Sequence, residues 1–325
     1  MTQAVVPETQ TTTSAPTEPA PVEQAEPRRR GTDWWGEIKG ILWLLLVVLG
    51  FHSFIAKPFY IPSESMLPGM LVGDRLVVTK FAYGWSFVSP TIPNPAAIFR
   101  SVVLRQPGEG WTVALPPSRG RLLGRLPERG DVVIVTPPGT RNDYIKRVIG
   151  LPGDLLEVRG GTVILNGKPV RRGPIHEVDI ADYGGTLAPD GTETCDSGSF
   201  GTSVRRPAGS GAFTCRLPVV TETLPNGRRY DTIELGATSG DDYGPIRIPA
   251  NHVFLMGDNR DRSADSRFEL SQQGLGGPVP YENIGGRAEF ITFSLDGSTT
   301  WNPITWITSL RGGRAGTSLH AETAP

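Results

Sequence analysis

Three short segments of the sequence carry the side chains that an amide-hydrolysing site needs. Ser65 lies in Ile-Pro-Ser-Glu-Ser-Met-Leu-Pro at 61–68, shortly after a long apolar stretch. Lys146 lies in a strand-like run, and Ser263 lies in a turn-rich run of charged residues. A serine hydroxyl is a poor nucleophile until a base removes its proton, and a desolvated lysine is able to act as that base. The residue types therefore predict nucleophilic hydrolysis by a serine and a lysine.

The burial of Lys146 decides whether it is able to act as a base, and the local sequence supports two interpretations. Alternation along residues 143–150 puts Lys146 on the same strand face as Val148, which favours burial. Burial disfavours the ammonium form and yields a neutral amine near physiological pH. The other interpretation is an exposed lysine on an amphipathic strand, because most lysines are exposed.

Three other interpretations of these residues can be compared. A triad of Ser65, His252 and Asp258 lacks the Gly-x-Ser-x-Gly turn that typically presents the nucleophile. The Ser-x-x-Lys arrangement of penicillin-binding enzymes fails because Pro68 stands three residues after Ser65. The third alternative is not an enzyme but an anchored β-domain that binds or assembles other molecules. Such a module would tolerate Ser65→Ala and Lys146→Ala without loss of function.

The composition argues against nucleic-acid and metal-binding functions. The chain has 325 residues with 32 Lys+Arg and 33 Asp+Glu, so no large positive charge attracts a nucleic acid. Its four histidines and two cysteines lack the spacing of a zinc site. We therefore expect no nucleic-acid partner, no metal ion and no organic cofactor.

The N-terminal part predicts a tail followed by one membrane span. Residues 1–35 are rich in Thr, Pro, Glu and Ala, which is typical of a disordered segment. Residues 38–56 are apolar except for one lysine, one histidine and one serine, and at about 1.5 Å per residue they are long enough to cross a bilayer core. Positive charge precedes the span, so we expect the tail in the cytoplasm and the rest outside the inner (plasma) membrane. A cleaved secretory leader and a buried core helix are the alternatives.

Beyond the span, the sequence predicts a mainly β protein. Short apolar runs alternate with turn residues, and 40 Gly and 30 Pro agree with many turns and little helix. The expected strands are 75–80, 131–135, 155–158, 162–165 and 253–256, with a hairpin turn at Asn166-Gly167. We expect an antiparallel β-sheet catalytic domain over 57–310, a β subdomain inserted at about 169–249, and a flexible tail over 311–325.

Both cysteines, Cys195 and Cys215, fall within the predicted insertion. Outside the cytoplasm, a disulfide between them would close this loop and contribute about 3 kcal/mol by restricting the unfolded chain. Two unpaired cysteines are the alternative.

Together the three segments resemble the bacterial type I signal peptidases (leader peptidases). The match lies in the run 61–68, in Tyr-Ile-Lys-Arg-Val-Ile-Gly-Leu-Pro-Gly-Asp at 144–154, and in Gly-Asp-Asn-Arg at 257–260 with Ser-Ala-Asp-Ser-Arg at 263–267. The resemblance implies that Ser65 is the nucleophile and Lys146 its general base. It also implies an oxyanion hole formed by the Ser63 hydroxyl and the Ser65 backbone N–H.

The resemblance implies supporting roles as well. Ser263 would hydrogen-bond and orient Lys146, while an ion pair between Asp265 and Arg267 would brace the site. The expected substrate-binding residues are Met66, Leu67 and Ile145. The implied reaction is removal of N-terminal signal peptides from exported preproteins, after sites with small side chains at the first and third positions before the cut.

Three features stand apart from these motifs. The aromatic-rich run 81–88 is interpreted either as core or as a surface that enters the lipid headgroups, together with Trp301 and Trp306. Glu64 stands where many members of the resembled family have a smaller residue. The connection 268–275 is longer and more polar than the short aromatic one usual in that family.

Overall fold

The computed structural model describes residues 34–90, 92–94, 96–97, 113, 115–140, 142–182, 205–207 and 213–323. The predicted N-terminal tail, up to residue 33, therefore lies outside the described residues. The chain divides into two compact units, Met1–Leu44 and Leu45–Pro325.

The apolar stretch forms helix α1, Trp34–Phe54. By length and composition this helix is able to cross a membrane, and its most apolar window has a mean hydropathy of 1.6. Only 6% of that window is buried, whereas the helix of a protein core is mostly buried. Lys39 Nζ lies 5.7 Å from the centroid of the Trp35 ring, a cation–π contact at the N-terminal end of the helix.

The described residues beyond α1 form mostly strands. These are β1 (Ala56–Tyr60), β2 (Asp74–Thr79), β3 (Val132–Val135), β4 (Tyr144–Gly150), β5 (Leu155–Arg159), β6 (Thr162–Leu165), β7 (Lys168–Pro169), β8 (Arg171–Arg172), β9 (His176–Asp182), β10 (Arg205–Pro207), β11 (Phe213–Thr223), β12 (Arg228–Ile233), β13 (Tyr243–Arg247), β14 (His252–Met256), β15 (Val279–Pro280), β16 (Ile284–Ser294) and β17 (Glu322–Thr323). A short helix, α2 (Pro303–Thr308), follows β16. The prediction of a mainly β fold is confirmed.

One antiparallel sheet of seven strands carries the motif segments. Its order is β1-β2-β16-β3-β4-β14-β15. β3 and β4 lie at its centre, and nearly all of their residues are buried, because apolar side chains cover both faces. Lys146 pairs with Val133 in this central position. The burial that the strand alternation favoured for Lys146 is thus present.

The predicted insertion holds strands of two further sheets. β8 to β12 form a six-stranded sheet with β17, whereas β13 pairs with β5 in a four-stranded sheet of β13, β5, β6 and β7. The Asn166-Gly167 turn joins β6 and β7, with positive φ at both residues. Cys215 lies on β11 and is fully buried, but Cys195 lies outside the described residues, so the disulfide stays a prediction.

The aromatic-rich run 81–88 is partly core and partly exposed. Tyr83 is buried and donates a hydrogen bond to Asp131 Oδ2 at 2.7 Å, whereas Phe81 is exposed. Trp85 Nε1 donates to the backbone oxygen of Phe54, at the end of α1, at 2.8 Å. The run is therefore core at Tyr83, and its entry into the lipid headgroups stays a prediction.

The segment after residue 310, expected as a flexible tail, packs against the domain. Arg314 Nε donates to the buried Asp74 Oδ1 at 2.9 Å, and Arg311 Nη1 donates to the backbone oxygen of Val72 at 2.7 Å. Leu319 is buried in one core cluster with Ile61 and Met66. The expectation of a free tail missed these contacts, because they are made with residues distant in the sequence.

Candidate active site

An open cleft of about 680 Å³ lies where the three motif segments meet. Ser63 and Ser65 reach it from the turn after β1, and Lys146 reaches it from β4. Arg262 and Ala264 line it from the loop that follows β14. Three segments that are far apart in the sequence thus contribute side chains to one surface.

Ser65 and Lys146 form a direct contact on the wall of this cleft. Lys146 Nζ lies 2.9 Å from Ser65 Oγ and 3.0 Å from the backbone oxygen of Ile145. Both side chains are buried, with 5% of Ser65 and 4% of Lys146 exposed. This distance is within the range required for transfer of a proton from a nucleophile to its base.

Burial lowers the pKa of Lys146 from its ordinary value to about 8. Desolvation is the main cause, because it disfavours the ammonium form. The carboxylates of Asp265 and Asp258 raise this pKa, and Arg267 lowers it. A lysine with a pKa near 8 is partly neutral near physiological pH, whereas an exposed lysine is almost fully protonated.

Short-range hydrogen bonds shape the turn that carries Ser65. Leu67 N donates to Glu64 O at 3.0 Å, which closes the turn around the serine. Asn259 N donates to Ser65 O at 3.1 Å and joins this turn to the loop after β14. Ser65 is therefore held by its own turn and by a second segment, as a preorganised catalytic group would be.

Ser63 lies beside Ser65. Its Oγ is 3.4 Å from Ser65 Oγ, and both serines line the cleft. A hydroxyl at this distance is able to rotate toward an oxygen atom that develops negative charge next to Ser65. This geometry agrees with the expected position for an oxyanion donor.

The expected ion pair between Asp265 and Arg267 is present. Arg267 Nε donates to Asp265 Oδ1 at 2.9 Å, and the two side chains are 1% and 0% exposed. Gly257 N also donates to Asp265 Oδ2, at 3.0 Å. Arg267 and the backbone hydrogen bond hold the pKa of Asp265 below its ordinary value, against the effect of burial. Asp265 thereby fixes the end of β14 next to Ser65.

Comparison with known proteins identifies the family. The family model for signal peptidases, peptidase S26, matches residues 34–293. The chain belongs to the signal peptidase family. It is therefore a hydrolase of the type that removes signal peptides.

Individual signal peptidases match most of the chain. Signal peptidase I of Rickettsia typhi is 31% identical over 273 residues, which cover 82% of this chain and 81% of that protein. Signal peptidase I of Rickettsia akari is 30% identical over 270 residues, with 81% and 79% covered. A crystal structure of a signal peptidase I from Enterococcus faecalis aligns with a TM-score of 0.24 and 21% identity, over 50% of this chain and 97% of that one.

The apolar wall of this signal peptidase cleft differs in part from the sequence-based expectation. Ile145 lines the cleft, as expected. Met66 and Leu67 instead are 0% and 1% exposed and face core clusters, because the turn after Ser65 directs them inward. The apolar lining that the sequence analysis missed comes from Phe59, Ile61 and Ile134. The β-alternation of the segment ending at Ile61 was a usable signal for Phe59 and Ile61.

Ser263 does not make the expected hydrogen bond to Lys146. Its Oγ is buried and has no hydrogen-bond partner among the described residues, while Lys146 Nζ contacts Ser65 Oγ and Ile145 O. A Cβ atom added to Gly257 would lie 2.2 Å from Ser263 Oγ and 2.4 Å from Ser65 O. The Ser263 hydroxyl is therefore packed against Gly257, between the end of β14 and the nucleophile turn.

A buried polar network behind the cleft was not expected. Arg147 Nε donates to Asp258 Oδ1 at 2.7 Å. Arg260 Nη2 donates to Glu222 Oε2 at 2.5 Å, and Tyr230 Oη donates to the same carboxylate oxygen at 2.8 Å. Glu222 comes from β11 of the insertion, so its partnership with Arg260 had no signal in the local sequence. In the described parts of the chain, no cluster of three His, Cys, Asp or Glu side chains is placed to hold a metal ion.

Proposed function

We propose that this chain is a membrane-bound serine endopeptidase that removes signal peptides from exported preproteins with a Ser65–Lys146 dyad. The observation that carries this proposal is the 2.9 Å contact between Ser65 Oγ and a desolvated lysine amine in an open cleft. A neutral amine at this position needs no imidazole to accept the serine proton.

The reaction follows from this contact. Neutral Lys146 takes the proton of Ser65 as Oγ attacks the scissile carbonyl carbon, and a tetrahedral intermediate forms. The Ser65 backbone N–H and the Ser63 hydroxyl donate to its oxyanion. The Lys146 ammonium then protonates the leaving amine, which leaves an acyl ester on Ser65. A water molecule, deprotonated by Lys146, hydrolyses the ester and restores both side chains.

The cleft and its flanking strand favour an extended peptide with small side chains. β1 is the edge strand of the seven-stranded sheet, so its free backbone groups are available for pairing with a substrate strand. Phe59, Ile61 and Ile145 provide apolar surface beside Ser65. Since alternate side chains of a paired strand point the same way, the first and third residues before the cut would face this wall. These features support a preference for small-x-small sites.

Exposed apolar side chains support contact with the bilayer beyond α1. Trp301, just before α2, is 98% exposed, and Ile307, on α2, is 75% exposed. Leu122 and Leu123 are 68% and 78% exposed on the segment that precedes β3. Such residues are typical of surfaces that enter a lipid interface. We infer a plasma-membrane location with a cytoplasmic N-terminus, which a protease-protection assay on sealed vesicles would test.

The deciding experiment is cleavage of a preprotein by the detergent-solubilised full chain, with sequencing of the product N-terminus. We expect the wild type to cut after a small-x-small site and Ser65→Ala to be inert while unfolding at the wild-type temperature. Equal cleavage by both proteins would contradict the proposal. If neither cuts, while both bind the preprotein, the chain is an anchored binding module.

A further inference from the structure

An ion pair joins the turn that carries Ser65 to the loop that follows β14. Arg262 Nη1 lies 3.2 Å from Glu64 Oε2. Glu64 stands between Ser63 and Ser65 in the nucleophile turn, and Arg262 immediately precedes Ser263. Each charged residue is therefore a direct chain neighbour of the groups that perform or support the reaction.

The pair is shielded from solvent. The side chain of Glu64 is 5% exposed and that of Arg262 is 18% exposed. Exposed ion pairs are screened and contribute little, but a buried carboxylate that loses its cation is left with an uncompensated charge. Arg262 Nη1 thus holds one oxygen of the buried Glu64 carboxylate, and the Arg262 side chain also lines the cleft.

The loop that carries Arg262 is anchored on its other side to β12. Ile233 N donates to Asp258 O at 2.9 Å, and Arg260 N donates to Ile233 O at 3.0 Å. Gly236 N donates to Asp261 Oδ2 at 3.1 Å. These hydrogen bonds fix the position of the loop. The Arg262 side chain extends from this loop toward the turn that carries Ser65, so it is able to hold that turn in place.

Further contacts hold the same two segments close together. Asn259 Nδ2 donates to Glu64 O at 3.3 Å, and Gly257 leaves no room for a Cβ between Ser263 and Ser65. Such close packing tolerates little displacement. A shift of about 1 Å in a reacting group is able to lower a rate by about 100-fold.

We propose that the Glu64–Arg262 ion pair is a positioning device that holds the nucleophile turn against the loop of Ser263. This inference rests on the proposed function, because it assigns the pair a role in the reaction of Ser65. Neither residue takes or gives a proton in that reaction; both act through the position of Ser65 and Ser263.

Steady-state cleavage of a preprotein by the full chain tests this role. We expect Glu64→Ala, which leaves the cleft lining intact, to lower kcat by about 10- to 100-fold with KM changed by less than about threefold, because the geometry of the reacting groups is altered. Arg262→Ala should lower kcat to a similar extent, and it also removes a side chain from the cleft wall. The double variant should be no worse than the poorer single variant, because the two side chains act as one unit. Arg262→Lys keeps the charge and should recover part of the rate.

The matched control removes an ion pair from the insertion. Arg216 pairs with Asp179 at 2.8 Å, and both side chains are partly exposed. Arg216→Ala should keep kcat and KM. Thermal unfolding of every variant separates lost positioning from lost folding, and Glu64→Gln provides a second, milder variant if Glu64→Ala unfolds.

A second measurement needs no cleavage. The charges of Asp258, Asp265 and Arg267 act on the pKa of Lys146. We expect a net charge left at residue 64 or 262 to act on this pKa in the same way. Arg262→Ala leaves a carboxylate beside Ser65 and should raise the pH at which Lys146 becomes reactive, whereas Glu64→Ala leaves a guanidinium and should lower it. Competitive labelling with an amine-reactive anhydride, quantified by mass spectrometry, measures both shifts.

These two readouts separate the inference from the proposed function. Opposite labelling shifts that cancel in the double variant support the coupling even in a protein that cuts no preprotein. Unshifted labelling together with kcat within twofold of wild type in both single variants overturns the positioning role. Additive losses in the double variant overturn it as well. A wild type that is inert, beside variants with the expected labelling shifts, contradicts the proposed function alone.

Discussion

Lys146 and Lys80 lie in two regions with similar burial and different surroundings. Each lysine is 4% exposed, and burial lowers the pKa of each to about 8. Lys146 contacts the hydroxyl of Ser65 on the wall of a cleft, whereas Lys80 donates to the backbone oxygen of Ser89 after β2. Burial thus makes a lysine easy to deprotonate, but the neighbouring group decides whether the neutral amine takes part in a reaction.

The largest expected difference is between the two lysine-to-methionine variants. Lys146→Met should lower kcat by at least about 1,000-fold, because loss of a base disables the nucleophile. Lys80→Met should stay within about threefold of wild type, because Lys80 is absent from the cleft lining. Preprotein cleavage measures both. A Lys80 variant as inactive as the Lys146 variant, with normal thermal unfolding, would contradict the comparison.

The serines beside the two lysines should differ as well. Ser63→Ala should lower kcat by about 100- to 1,000-fold through loss of an oxyanion donor, and Ser63→Thr should retain much of the rate. Ser89 is also buried, but its Oγ accepts a hydrogen bond from Ser86 N at 2.9 Å. Ser89→Ala should therefore leave kcat unchanged. Equal kcat for wild type and Ser63→Ala would exclude Ser63 from the oxyanion hole.

The two lysines should affect stability in the same direction. Their pKa is lowered from 10.5 to about 8 on folding, so the unfolded chain binds more protons between these values. Stability therefore rises with pH across this window, and below pH 8 the cost of a buried ammonium is fully present. Each methionine variant should remove up to about 3 kcal/mol of this rise, as measured by urea unfolding from pH 7 to 10.5. If either variant keeps the full rise of the unfolding free energy with pH, the lysine that it lacks does not contribute to this rise, which would contradict the prediction.

The smallest expected difference is in the dependence of kcat/KM on pH. Below about pH 8, kcat/KM should fall about tenfold per pH unit as Lys146 becomes protonated. Lys80→Met should show the same profile, since its amine takes no part in the reaction. An apparent pKa near 6 in the wild type would instead indicate a histidine base.

The features that the sequence predicted are those that depend on local patterns. The strands and the three motif segments carry local patterns, so a mainly β fold and the segments of the cleft followed from them. The burial of Lys146 depends on the position of β4 inside the sheet, between β3 and β14. Such a position is set by strand order, and the local alternation left it open.

The misses have a similar cause. Met66 and Leu67 were expected in the cleft, but the direction of a side chain after a tight turn depends on the backbone of that turn. Ser263 was expected to orient Lys146, yet the close approach at Gly257 holds its hydroxyl elsewhere. Glu222 pairs with Arg260 across 38 positions of the chain, and neither residue's local sequence indicates a buried partner.

The contacts of the segment after residue 310 also set an order for the biosynthesis of this enzyme. Arg314 binds Asp74 across 240 positions of the chain, and Leu319 completes the cluster beneath the nucleophile turn. A ribosome makes Ser65 early and these supporting residues late, and contacts of such long range form slowly. We therefore expect the catalytic centre to be unfinished during most of translation. We expect proteolytic competence only after these late side chains have left the exit tunnel and folded back.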